Sequence, residues 1–393
     1  MEIKRNVKIA IYLIVFNLYR FYRTIMPLKK RDVKKLIAIQ TPALEGNLVA
    51  VADELKKRKD VHLYWIAYSN KNFFNEMKNK GEEIYGDLDL SKIPLFYRTD
   101  VFIGTPGMGN IPTKYFKPGK WVDLWHGLPF KGFNTPSFIN NINQFEITCV
   151  SSDWFKKTYS SWGIKNKKIK VTGYARTDKL VKRDTLKKNI LEVLNMEENK
   201  KIVLYAPTWE QESEEEKKLF PWKENLLETL REIQKFCEEE NVFFIIRPHK
   251  LWTNKEEKPL IEKIFNSNGN FNNILFVPFD KFYDTETLLF VSDVLITDWS
   301  SIANDYIILQ RPIIFLDIPS PFRHNFTLSP EDRAGNIVLN KKEFFKILKR
   351  NLSSYKKPEN YNKVVEKLYG KNFKYSDGKS AKRCVKEILN LIK

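Results

Sequence analysis

Four histidines occur in the chain, His62, His126, His249 and His324. His126 lies in Trp125-His126-Gly127-Leu128-Pro129-Phe130-Lys131-Gly132, directly after a stretch that reads as a strand. In an open α/β sheet, ligands sit outside the carboxyl ends of the strands. A histidine there points into the ligand crevice, and its ordinary pKa suits a general base near neutral pH. Gly127 permits close backbone approach, and Lys131 brings a cation. The plainer alternative is a satisfied histidine in a turn. Arg247-Pro248-His249-Lys250 ends a second apolar stretch, Val242 to Ile246. Three potentially cationic groups so close together suit a phosphate clamp. The alternative is an ordinary polar strand exit. His62 sits inside an apolar strand, where a structural role is expected. His324 lies in a loop about which the sequence says little.

A third stretch, Val294 to Pro312, opens as a buried strand and turns at Asp298-Trp299-Ser300-Ser301. It continues as a helix with apolar Ile302, Ala303, Tyr306 and Leu309, and stops at Arg311-Pro312. The first N–H groups of a helix lack internal partners, and the helix dipole favours an anion there. Ser300 and Ser301 either cap the helix or donate to a phosphate. One reading is a grip on the diphosphate of a nucleotide-activated substrate; the other is a plain N-cap. Thr208, in Tyr205-Ala206-Pro207-Thr208-Trp209, ends another strand of the second domain and could cap a helix or donate to phosphate. Arg176, in Gly173-Tyr174-Ala175-Arg176-Thr177-Asp178, falls near the hinge between two domains. Asp87-Leu88-Asp89 resembles a metal-holding triplet, but no strand precedes it, so it reads as solvated surface charge.

These residues need a scaffold, and the apolar pattern supplies one. Strands are expected at 36–40, 62–67, 100–104, 121–125, 146–150 and 169–173, then at 202–206, 242–247, 274–277, 294–297 and 313–316. Helical segments fill the gaps, as in a parallel α/β sheet. The set repeats once, which predicts two doubly wound domains facing a cleft. The polar segment 179–200 reads as a crossover, and Glu210 to Glu216 as a solvated loop. The 393 residues carry 67 Lys and Arg against 48 Asp and Glu, a net +19 that favours an anionic partner. The three cysteines, Cys149, Cys237 and Cys384, form no C-x-x-C pair, which argues against a zinc knuckle or disulfide framework. No G-x-G-x-x-G and no G-K-[ST] occurs, so neither a dinucleotide fingerprint nor a P-loop is expected. Near the start, the apolar run Ile9 to Phe16 is too short to span a bilayer. Followed by Leu18, Tyr19, Phe21 and Tyr22 interleaved with Arg20 and Arg23, it reads as an amphipathic helix lying on an anionic membrane surface. The alternative is a first helix packed on its own domain.

The order His-Gly-x-Pro-x-Lys, Gly-Tyr-x-Arg-x-Asp, Tyr-Ala-Pro-Thr-Trp, Arg-x-His and Thr-Asp-x-Ser-Ser…Arg-Pro resembles the CDP-glycerol glycerophosphotransferases of teichoic acid synthesis. The resemblance spans roughly residues 120–340. It implies a GT-B-like fold of two Rossmann-like domains and a peripheral position on the cytoplasmic face of the cell membrane. It also implies transfer of a polyol phosphate, glycerol phosphate first, from a CDP-polyol such as CDP-glycerol to a hydroxyl of an undecaprenyl-linked saccharide or a growing polymer. By motif, His126 matches the proposed base and His249 a second functional histidine. Lys131, Thr208, Asp298, Ser300 and Ser301 fall on donor-binding positions; Arg176, Arg247 and Arg333 are added to them. The domain expectation becomes 1–32 a membrane-surface helix, 33–180 an acceptor domain, 181–340 a CDP-donor domain and 341–393 a helical tail. No cofactor, no metal and no nucleic acid is called for. The competing functions are a GT-B transferase of nucleotide sugars and a non-enzymatic binder of lipid or nucleic acid. Three positions depart from the family pattern: Glu210 replaces an Arg, Trp299 a Tyr, and Asp332-Arg333-Ala334-Gly335-Asn336 an Arg-Gly-Phe.

Overall fold

The computed structural model describes residues 2–26, 34–44, 46–67, 71–105, 119–125, 127–128, 130–133, 135–181, 192, 199–208, 218–249, 252, 254–266, 271–279, 281–282, 284–320, 326–355 and 361–393. His126, His324, Glu210 to Glu216 and most of segment 179–200 lie outside them. The chain divides into two compact units: Met1–His126 with Asn134–Asp178 and Asp377–Lys393, and Gly127–Phe133 with Lys179–Ser376.

The first unit is built on seven parallel strands: β1 (Lys35–Thr41), β2 (Val61–Ala67), β3 (Ile84–Gly86), β4 (Val101–Gly104), β5 (Lys120–Asp123), β6 (Ile147–Val150) and β7 (Ile169–Val171). Their order is β3-β2-β1-β4-β5-β6-β7. The chain winds outward from β1 in one direction, then returns to start again at β4, which is the doubly wound arrangement. β4, β6 and most of β1 are buried along their length, so they read as continuous apolar runs rather than alternations. Helix α2 (Gly46–Lys56) lays Leu48, Val51 and Leu55 over Ile37, Ile39 and Ile103 of this core.

The second unit repeats the scheme with β8 (Lys201–Tyr205), β9 (Val242–Ile246), β10 (Ile274–Phe276), β11 (Val294–Thr297), β12 (Ile313–Leu316) and β13 (Asn336–Val338), all parallel, in the order β10-β9-β8-β11-β12-β13. Its core joins Val203, Phe244, Ile246 and Ile296 to Leu230, Ile233, Phe344 and Leu348 from covering helices. The short strands β3 and β13 were not among those expected. The expected helix after Ser301 is shorter than its apolar spacing suggested. Only Ile302–Tyr306 is α-helical; Ile307–Leu309 tightens into a 3-10 turn and Gln310 ends it with φ +53°.

Helix α1 (Glu2–Ile25) has two apolar faces. One packs on the first unit. Tyr12 and Phe16 are buried, and the Phe16 and Tyr19 rings lie 6.0 and 5.5 Å from that of Tyr97. Arg5 joins Asp87 in an ion pair at 2.6 Å. The sequence reading of Asp87 as solvated surface charge is therefore corrected: its side chain is 8% exposed and anchors α1. Burial raises its pKa above the usual carboxylate value, and Arg5 offsets part of that rise. The other face of α1 exposes Val7, Ile11, Ile14, Leu18, Phe21 and Ile25, a ridge at alternating four- and three-residue spacing. No described helix is long and apolar enough to cross a membrane. At the other end of the chain, the helix Ser380–Asn390 also belongs to the first unit. Asp178 accepts from the N–H groups of Ser380 at 2.9 Å and Ala381 at 2.8 Å, filling orphan donors of that helix. Gly173, with φ +83°, sits against Ser380 so closely that a Cβ would collide.

Candidate functional site

In the second sheet the strand order reverses between β8 and β11, and this switch point is where doubly wound sheets bind ligands. The loops leaving those two strands are tied together there. Asp298 follows β11 and Thr208 follows β8. The Asp298 carboxylate accepts from the Thr208 N–H at 2.8 Å, from the Thr208 hydroxyl, and from the Trp299 N–H at 2.6 Å. Asp298 is only 2% exposed, so its negative charge is spent on these donors. Thr208, Ser300 and Ser301 are half-buried beside it. Ser301 precedes the short helix but makes no side-chain cap, so its hydroxyl is not used on its own helix.

On the other side of β8, β9 delivers Arg247 and His249. Arg247 is buried, donates to the Val277 carbonyl at 3.1 Å and the Thr285 hydroxyl at 3.0 Å, and lies 4.9 Å from the Phe279 ring. Those contacts fasten the exit of β9 to the following loops. His249, two residues on, is half-buried, and its carbonyl receives the Trp252 N–H at 2.9 Å.

Residues 127–133 form a strap on this same unit. Asn304 donates to the Leu128 carbonyl at 2.8 Å, the Thr327 N–H to the Phe130 carbonyl at 2.7 Å, and the Thr327 hydroxyl to the Lys131 carbonyl at 2.7 Å. The Phe130 ring meets Trp299 edge-on at 6.1 Å. Lys131 is half-buried, with its ammonium 5.5 Å from the Phe133 ring. The other face of the site is closed by Arg333, whose guanidinium lies 4.5 Å from the Trp299 ring and 3.2 Å from Asp317. Trp299, one of the departures from the family pattern, thus serves as the platform on which Arg333 and Phe130 rest.

A model of the CDP-glycerol:poly(glycerophosphate) glycerophosphotransferases matches residues 18–390. The chain belongs to that family. It is 25% identical to the teichoic acid ribitol-phosphate polymerase TarL of Staphylococcus aureus, over 98% of this chain and 66% of TarL. It is 25% identical to the teichoic acid poly(glycerol phosphate) polymerase of Bacillus spizizenii, over 98% of each. The chain therefore spans about two thirds of one relative's length and nearly all of the other's. Among solved structures, the wall teichoic acid polymerase TagF superposes with a TM-score of 0.69 at 17% identity, covering all of both chains. A TagF histidine variant soaked with CDPG gives 0.68 at 18% identity over all of this chain and 98% of that one. The shared fold is GT-B-like, two Rossmann-like α/β units.

In this glycerophosphotransferase-family chain, the second unit brings together Lys131, Thr208, Arg247, His249, Asp298, Ser300, Ser301 and Arg333 on the loops after its strands or on the strap. Arg176 and the residues leading to His126 belong to the first unit. There β5 runs into Leu124 and Trp125. Trp125 is a non-glycine residue at φ +53°, a left-handed conformation that costs about 1–2 kcal/mol. Its N–H donates to Asp123 at 3.2 Å, and its ring packs edge-on against Phe138 and Tyr159 at 5.3 and 5.9 Å. Sequence reasoning passed over Asn47. This side chain, 2% exposed at the start of α2, donates to the carbonyls of Leu124 at 3.2 Å and Trp125 at 2.8 Å. Its oxygen accepts the Arg176 N–H at 2.9 Å. No spacing pattern could have revealed it, since its partners lie 77 to 129 residues away. Asn304 and Asp317 were missed for the same reason.

Proposed function

We propose that this protein transfers a polyol phosphate, glycerol phosphate first among candidates, from a CDP-activated donor to a hydroxyl of a lipid-linked saccharide or growing polymer. The hydroxyl oxygen attacks the phosphorus that bears the polyol. The bond from that phosphorus to the bridging oxygen breaks, and CMP leaves with the electron pair. His126 takes the hydroxyl proton. The Ser300 and Ser301 hydroxyls, with Lys131 and His249, hold the diphosphate and the charge that develops on it, and Thr208, whose N–H and hydroxyl both go to Asp298, lines the same donor site. Asp298 and Arg247 act behind them, holding Thr208 and the β9 exit in place, and Arg176 and Arg333 complete the donor-binding set. The observation that carries this reading is the gathering of Thr208, Asp298 to Ser301, and His249 on the loops of three adjacent strands around one switch point. Family membership and the soak of TagF with CDPG support the donor class.

The work is done at the cytoplasmic membrane surface, where a lipid-linked acceptor resides. The exposed ridge of α1, flanked by exposed Lys8 and Arg20, suits the interface of an anionic leaflet. The decisive experiment is CMP release from CDP-glycerol with a lipid-linked disaccharide. His126→Ala is expected to lower turnover ~10²–10⁴-fold while CDP-glycerol still binds. Unchanged turnover removes His126 from the chemistry. A nucleotide sugar that outcompetes CDP-glycerol for the donor site makes the enzyme a glycosyltransferase instead.

A further inference from the structure

We infer that Asn47 is the positioning residue for His126, setting the backbone from which the imidazole departs. The inference rests on the role proposed for His126 above. It starts from the valences of one amide. Asn47 Nδ2 has two hydrogens, and two carbonyls meet it, those of Leu124 and Trp125. Oδ1 faces the Arg176 N–H. Only this orientation satisfies every partner, so the amide is locked. The Trp125 carbonyl and the nitrogen of residue 126 belong to one planar peptide unit. Gripping that carbonyl therefore holds the Trp125 side of the peptide that leads to His126.

The grip has something to resist. Trp125 is held in the left-handed region, a conformation that persists only where the surroundings over-determine it. Asp123 holds its N–H, Phe138 and Tyr159 hold its ring, and Asn47 holds its carbonyl. Without Asn47 the Leu124 and Trp125 carbonyls lose this donor, and one of the holds on the left-handed Trp125 is gone. A general base tolerates little of that, because proton transfer requires heavy-atom distances of about 3 Å. Asn47 is 2% exposed, so it acts through the backbone and not by touching substrate. The same side chain ties the Arg176 loop to the His126 strand exit, joining two of the sequence motifs through a residue in neither.

The test is a double-mutant cycle on CMP release, with rates expressed per donor site counted by CDP-glycerol titration. Counting sites removes any unfolded fraction from the comparison. Asn47→Ala is expected to lower kcat about 10–100-fold, the scale of an ångström-sized misplacement, read at saturating CDP-glycerol because the Arg176 loop also leans on Asn47 and KM rises with its loss. In the His126→Ala background the same substitution is expected to leave the residual rate within about twofold, because a base that is absent cannot be misplaced. Asn47→Ser keeps one donor in a smaller side chain and is expected to recover part of kcat. Equal losses in both backgrounds, or no loss in either, overturn the positioning role while leaving His126 as the base. Wild-type turnover by His126→Ala alone overturns the base assignment, which is a separate result.

Discussion

Asp298 shows how a residue's chemistry depends on what faces it. Beside two serines it reads as part of an anion grip, yet a carboxylate repels phosphate. Its buried oxygen resolves that conflict by accepting from Thr208 and from the Trp299 N–H. Asp298→Ala would leave those donors without their acceptor inside the protein, at about 1–3 kcal/mol for each one that stays dry. The expected outcome is a lower melting temperature together with a raised KM for the CDP-polyol, because Thr208 loses its orientation. Asp298→Asn keeps the shape and one acceptor oxygen, and should fall between the two. A variant that melts like the parent and binds donor normally would deny Asp298 this role. Thr208 and Asp298, singled out from separate motifs, meet where two adjacent strands end. What the motif could not encode was the direction of the carboxylate, which is set by a partner 90 residues away. Asn47 was invisible for a like reason: its neighbours are assembled by the sheet, not by the chain.

At the scale of elements, α1 meets the second of the alternatives that its sequence left open and keeps a free face besides. It is packed on its own domain, through Arg5, Tyr12 and Phe16, and it also offers an unburied ridge. Composition revealed the helix but not its two-sidedness, because the inner contacts depend on Asp87 and Tyr97 from distant segments. The two faces make separable predictions. Leu18, Phe21 and Ile25 are 64%, 66% and 65% exposed, so replacing all three by serine should leave the melting temperature unchanged. Partial burial of three such side chains in an interface contributes about 3 kcal/mol, so the triple variant should bind anionic vesicles ~100-fold more weakly. Retained vesicle binding would mean that another surface makes the contact. A concentration-dependent dimer lost in the variant would mean that a second copy of the chain occupies the ridge.

Across the whole molecule, the alternation of apolar runs foretold two parallel sheets, and the strand order within each follows from double winding. Short β3 and β13 fall outside the apolar runs that marked the other strands. The docking of the last helix on the first unit escaped because an amphipathic face does not name its partner; Asp178 and Gly173 supply that address. Stability against acid is the property in which distant parts of the fold add up. Asp60, beside Arg58 and Lys35, is held down to about 2 at an exposed site where salt and water screen the pair. Asp332 matters more, because its side chain is fully buried and paired with Lys367 at 2.6 Å and Lys371 at 2.9 Å. Burial pushes its pKa up, but the two ammonium groups prevail and hold it below the usual value. A depressed folded pKa means the unfolded chain binds the proton more readily. The stabilisation is therefore complete above the unfolded carboxyl's pKa of about 4, and it is lost as pH falls from there through the folded value. Asp87 and Glu257, whose pKa values burial raises, work in the opposite sense, so the total curve alone does not isolate Asp332. The difference between parent and Asp332→Asn does. At pH 7 the variant should be less stable by about 3 kcal/mol, the low end for breaking a buried pair, since Lys367 is half exposed. In urea titrations at successively lower pH, that gap should hold to about pH 5 and close progressively below about pH 4. A gap that stays constant down to pH 3 would show that Asp332 contributes through packing and the hydrogen bond that its side-chain oxygen accepts from the Ser329 N–H, not through its ion pairs.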